Sequence, residues 1–238
     1  MATTAEPGTS LMGASVRRKE DQRFITGAGH YTDDLKLPGQ VYAAFVRSPH
    51  ANATINAIDA SAALAMPGVH TVLTGEDMKQ AGVNPIPPGW LHPGIKIAEY
   101  RALAVGRVGH VGNAVAVVIA DSPTLARDAA DAVVVDYADH PAVADAVAAL
   151  EPGAPQVHPE APGNVAFTWQ LGDAAATDAA MAGATSVVRQ HLVNQRLIAN
   201  AMEPRAAIGE FDRATNEYTL YTTSQNPHVI RLLMGAFV

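Results

Sequence analysis

Two short polar runs carry the residue types that can do chemistry: Asn200-Ala201-Met202-Glu203-Pro204-Arg205 and Thr223-Ser224-Gln225-Asn226-Pro227-His228. Glu203 beside Arg205 offers either a hydrogen-bonded ion pair or the acid of an acid/base pair tuned by that guanidinium. Gln225 is a neutral amide. It follows the strand-like alternation Glu217-Tyr218-Thr219-Leu220-Tyr221-Thr222-Thr223 and precedes a helix whose first residue is set at Pro227 by the preference of proline for that position. At such a strand-to-helix corner the unpaired N–H groups of the helix and the positive end of its dipole face outward, so an amide there can help hold an anion or an oxo ligand. The same residues also make an ordinary capped turn, because Asn and Pro are common punctuation at helix starts. From position alone both readings stand open. His228, in the first helical turn, can bond a backbone carbonyl or the polar edge of a cofactor.

The elements that must position these residues follow from periodicity. Residues 206–211 and 218–222 read as two strands joined by Asp212-Arg213-Ala214-Thr215-Asn216, a loop of hairpin length, which brings Glu203 and Gln225 to the same end. Upstream, an apolar strand over 41–47, a second over 54–58 and a third over 69–74 alternate with a short Ala-rich segment at 61–66. Val115 to Ala120 reads as a strand, with Ser122 as the cap and Pro123 in the first turn of a helix running to Ala132 whose buried face is Leu125, Ala129 and Val133. A strand at 133–137 completes a β-α-β rhythm, expected as two strands under one helix. The run Pro85-Ile86-Pro87-Pro88-Gly89-Trp90-Leu91-His92-Pro93-Gly94 is a surface loop anchored by Trp90.

The fold class is therefore α+β (mixed α/β), organised as a flexible leader (1–15), an α/β domain (16–145), a Pro-rich linker held extended by its prolines (146–164), and a second domain (165–238) with a short helix at 174–181 and a long strand at 186–195.

Composition removes several functions. With 238 residues, 48% of them apolar, there is ample material for a core. A net charge of -7 without clustered Lys or Arg argues against nucleic acid as a partner. Zero cysteines exclude a disulfide framework, a thiolate nucleophile and any cysteine-held iron–sulfur cluster in this chain. The apolar runs are far too short to span a membrane, and no apolar region follows Arg17-Arg18, so the cytoplasm is the expected setting. Gly27 and Gly29 lack the third glycine of a nucleotide loop, and Asp33-Asp34 would repel phosphate. The chain has nine histidines. No His-Glu-x-x-His pair or Gly-x-Ser-x-Gly elbow is present, and Ser48-Pro49-His50 reads as a turn after the first strand. A free-standing hydrolase finds no local signature.

Ser48-Pro49-His50-Ala51, Met202-Glu203-Pro204-Arg205 and Ser224-Gln225-Asn226-Pro227-His228, in that order and with Gly109-His110-Val111-Gly112 between them, resemble the molybdopterin-binding large subunit of the xanthine dehydrogenase, aldehyde oxidase and aerobic carbon monoxide dehydrogenase family. The resemblance covers the chain from about Val16 onward. It implies a hammerhead-type domain followed by the beginning of a molybdopterin-binding domain. It also implies a molybdenum-molybdopterin cofactor in the cytosine dinucleotide form, and a hetero-oligomer with the remainder of the molybdenum-binding subunit, an iron–sulfur subunit and a flavin subunit. By the same resemblance Gln225 takes the place of the family's glutamine that hydrogen-bonds an oxo ligand of molybdenum. Gly112-Asn113-Ala114 departs from the usual Gly-Glu-Pro or Gly-Gln-Pro. The family's Gly-Gly-Gly-Phe-Gly pterin loop and its glutamate base lie beyond Val238, so the expectation is a component of a molybdenum hydroxylase, inactive as this chain alone. The contrasting expectation is a non-catalytic scaffold of such a complex.

Overall fold

The computed structural model describes Met12, residues 15–194 and residues 197–237. All of the expected leader except Met12 and Ser15 lies outside the described residues, as does Gln195 at the end of the expected long strand. The chain forms two compact units: Met1–Pro38 with Arg196–Gln225, and Gly39–Gln195 with Asn226–Val238.

In chain order the elements are α1 (Asp21–Ile25), a 3-10 turn (Thr32–Asp34), β1 (Tyr42–Arg47), β2 (Ala53–Asp59), α2 (Ser61–Leu64), β3 (Val69–Thr74) and α3 (Gly75–Gln80). They continue with β4 (Arg107–Val108), β5 (Ala114–Ala120), α4 (Pro123–Asp131), β6 (Val134–Asp139), α5 (Ala174–Ala182), β7 (Ala207–Asp212), β8 (Glu217–Thr222) and α6 (Pro227–Phe237). The fold is α+β, and no described helix is long and apolar enough to cross a membrane.

The larger unit contains two antiparallel three-stranded sheets, ordered β1-β5-β3 and β4-β2-β6. β5 is the central strand of the first, and its run Ala-Val-Ala-Val-Val-Ile-Ala is buried almost throughout because both edges are paired and α4 covers one face. Ser122 caps α4, its Oγ accepting from Leu125 N–H at 3.2 Å, and Pro123 occupies the first turn. Ala126, Ala129 and Ala130 are the buried residues of α4, and such small side chains let the helix lie close on Val118. Of the expected face, Ala129 and Val133 are buried as expected, whereas Leu125, set over Gly68, is only half-buried and Ala126 and Ala130 join the buried side instead. Val46 and Val135 touch both core clusters and join the sheets.

The β-α-β expectation is corrected here. β5 and β6 belong to different sheets, and α4 packs mainly on β1 and β5. Periodicity identifies strands but carries nothing about which strand each one pairs with. The linker is also not extended. Asn164, at φ 59°, ties it into turns by donating to Ala149 O (2.9 Å) and Pro155 O (3.0 Å) and accepting from Val157 N–H (2.8 Å). Nor is 186–194 a strand: among the described residues it has no ladder partner, and alternation without a partner leaves the backbone bonds of a strand unmade. Trp90 holds its loop through ring contacts with His92 and Phe167 at 5.5 and 5.7 Å while remaining exposed.

The start of α3 is a reciprocal cap. Asp77 Oδ2 accepts from the Thr74 hydroxyl at 2.6 Å and from Thr74 N–H at 2.7 Å, and these bonds, the hydroxyl first, hold the Asp77 carboxyl below its usual pKa. The folded value is depressed, so the stability it brings is present above the ordinary carboxylate value and is lost as pH falls through the lower folded one. Thr74→Val is expected to raise the Asp77 pKa in an NMR titration and to flatten the loss of stability below about pH 4. An unchanged titration would refute the cap.

Candidate functional site

The hairpin forms as its residues predict. β7 and β8 pair from Ala207↔Thr222 to Asp212↔Glu217, the turn closing with Asn216 at φ 58° and with Ala214 N–H donating to Asp212 Oδ1 at 2.7 Å. At its open end Thr222 Oγ1 donates to Ala206 O at 3.0 Å. β8 stops at Thr222 and α6 begins at Pro227, so Gln225 occupies the expected corner between strand and helix. Ile230 N–H donates to Asn226 O at 3.0 Å, which makes Asn226 the residue that opens the helical ladder. The Gln225 side chain is exposed, and among the described residues it has no hydrogen-bond partner.

Glu203 does not make the ion pair that the sequence suggests. Among the described residues it forms no ion pair with Arg205, which is exposed. Its Oε1 accepts instead from Thr223 Oγ1 at 3.0 Å and from Thr32 N–H at 3.3 Å. The open end of the hairpin therefore does bring Glu203 within one residue of Ser224-Gln225. Thr32 lies 171 positions away in sequence, and nothing local marks it as a partner. His228 sits exposed in the first turn of α6.

The other motifs are structural. Ser48 is buried, and its Oγ accepts from His50 N–H (3.0 Å) and donates to His50 O (3.3 Å). His50 Nδ1 lies 2.6 Å from Asp139 Oδ1 and its ring sits tilted, centroid to centroid 4.7 Å, against Tyr137, whose phenol is pushed up in pKa by burial. A serine, a histidine and an aspartate thus meet, but the hydroxyl is bonded to backbone and not to the imidazole, so this corner is a locked turn. Asn113, the departure from the family pattern, accepts from Gly109 N–H through Oδ1 at 3.2 Å and from Ser48 N–H through its carbonyl at 2.9 Å. Its amide closes the loop. Clefts of about 300 and 350 Å³ flank Gly109 and His110. The guanidiniums lining the 350 Å³ cleft are already engaged, Arg107 with Asn52 and Gln156 and Arg101 with Glu99 and Val83.

No group of three His, Asp or Glu among the described residues could ligate a metal. Between β8 and α6 the chain presents an exposed amide that can hydrogen-bond a cofactor. An exposed, unbonded Gln225 fits that role without rearrangement.

Comparison with known proteins gives this arrangement a class. Residues 26–141 match the family described as aldehyde oxidase and xanthine dehydrogenase, a/b hammerhead domain, and residues 157–238 match the molybdopterin cofactor-binding domain. The chain belongs to the xanthine dehydrogenase, aldehyde oxidase and carbon monoxide dehydrogenase family of molybdopterin-binding large subunits. It is 40% identical over 229 residues to the carbon monoxide dehydrogenase large chain of Hydrogenophaga pseudoflava, covering 91% of this chain and 28% of that protein. It is 34% identical over 233 residues to the nicotine 6-hydroxylase large subunit of Paenarthrobacter nicotinovorans, covering 96% of this chain and 28% of that one. In structure it resembles quinoline 2-oxidoreductase from Pseudomonas putida 86, with a TM-score of 0.86 and 36% identity over 94% of this chain and 28% of that chain. The chain thus spans under a third of the length of each of these three proteins.

Proposed function

We propose that this chain is a component of the large subunit of a molybdenum-dependent hydroxylase, an oxidoreductase acting on carbon monoxide, an aldehyde or an N-heterocycle with oxygen derived from water. The observation that carries this reading is the position of Gln225: an exposed amide at the β8–α6 corner, inside the stretch that matches the molybdopterin cofactor-binding domain. The two domains meet within residues 146–164, in keeping with family matches that stop at 141 and resume at 157. The relatives named for carbon monoxide and for nicotine support the substrate range.

The cofactor, in its cytosine dinucleotide form, supplies the two-electron chemistry when bound. The task of this chain is positioning. Gln225 presents an amide N–H to the cofactor, and the hairpin sets where that donor stands. With no cysteine in the chain, electrons leave through partners, an iron–sulfur subunit and a flavin subunit, in a cytoplasmic hetero-oligomer. Alone, the chain is inactive.

Elemental mass spectrometry of the complex, captured under native conditions through a tag on this chain, tests the proposal. About one molybdenum per chain is expected. A folded complex without molybdenum would refute it.

A further inference from the structure

In the unit formed by Met1–Pro38 and Arg196–Gln225, one carboxylate ties together three segments that are distant in sequence. Glu203 Oε1 accepts from Thr32 N–H and from the Thr223 hydroxyl, and the hydroxyls of Thr32 and Thr223 lie 3.5 Å apart, so the three residues close a triangle. Two of the corners are braced from nearby. Thr32 opens a 3-10 turn that is itself braced where Asp34 Oδ2 accepts Tyr31 N–H at 2.8 Å. Thr222, next to Thr223, is pinned to the incoming strand through Ala206 O. Only Ser224 separates the Thr223 pin from Gln225.

An exposed glutamine has several free rotors, and a donor on such a side chain is aimed only as well as the backbone that carries it. The hairpin ladder ends at Thr222, and the bond from Thr223 to Glu203 carries the restraint one residue closer to Gln225. A carboxylate suits that task, because one ionised oxygen can accept two donors at once and charge-assisted bonds are the stronger kind. We propose that Glu203 is a positioning residue: its bonds to Thr32 and Thr223 hold the end of β8 so that the Gln225 amide points at the cofactor. The inference rests on the reading of Gln225 given above. It assigns the Met-Glu-Pro-Arg run a task that neither an ion pair nor an acid/base role describes.

The test uses the full-length large subunit in its cofactor-loaded complex, carrying Glu203→Leu, Glu203→Gln, Thr223→Val or Gln225→Ala. Hydrogen exchange over residues 222–225 and the electron paramagnetic resonance spectrum of the reduced metal are read beside molybdenum content. Glu203→Leu is expected to speed exchange over 222–225 about 10-fold. It should also shift the metal spectrum in the same direction as Gln225→Ala, with Glu203→Gln, which keeps an acceptor, closer to the parent. Thr223→Val removes one bond at constant volume and gives a smaller shift of the same kind, which keeps the test open if Glu203→Leu does not assemble. A parent-like spectrum in both Glu203→Leu and Thr223→Val, or in Thr223→Val alone where Glu203→Leu does not assemble, with Gln225→Ala shifted, overturns the positioning role. A parent-like spectrum in Gln225→Ala itself overturns the underlying reading of Gln225 and the positioning role with it.

Discussion

Gly75→Ala is expected to destabilise the larger unit by about 3 kcal/mol or more, seen as a lower urea midpoint with an unchanged slope. A Cβ at Gly75 would stand 2.2 Å from Ala104 O, 2.8 Å from Ala104 C and 2.9 Å from Leu103 O. All three are main-chain atoms, so no rotamer change relieves the clash. The segment that carries them is also held: Leu103 is 2% exposed, and Ala104 N–H donates to Ala114 O at 2.8 Å, the first residue of β5. Something must move, and either α3 lifts or the edge of the central strand loses its bond. Gly89→Ala, where an added Cβ meets nothing within 4 Å, is the control and should leave the midpoint within about 0.5 kcal/mol of the parent. Equal midpoints for the two variants would refute the close approach at Gly75.

The second large effect is on turnover. In the assembled enzyme, Gln225→Ala is expected to lower kcat about 10- to 100-fold, the usual consequence of removing an outer hydrogen-bond partner at a metal site. That corresponds to about 1.4–2.8 kcal/mol of barrier. Folding should not change, because the side chain is exposed and bonds to none of the described residues. Molybdenum content should hold as well, since one amide is a small part of the binding surface for a dinucleotide cofactor. Full activity in Gln225→Ala would make the chain a scaffold whose chemistry lies elsewhere.

Local sequence determined a good deal about this protein. Ser122-Pro123 and Asp173 mark helix starts, Pro227 opens the last helix, and the turn residues 212–216 close a hairpin, because caps and turns are decided by nearest neighbours. The order of the family motifs carried the class, and the placement of Gln225 between a strand and a helix was legible from the alternation of residues 217–223 and from Pro227. Pairing at a distance was settled by the folded chain alone. Whether the strands at 114–120 and 134–139 share a sheet, whether residues 186–194 find a ladder, and which donors Glu203 accepts from depend on segments far apart in sequence. Alternation states that a strand has two faces and says nothing about what lies beside it. Glu203 shows the limit most plainly: Arg205, two residues away, is the partner that sequence suggests, and Thr32, 171 residues away, is a partner that the fold supplies. A carboxylate takes the donors brought to its oxygens, and chain folding decides which those are.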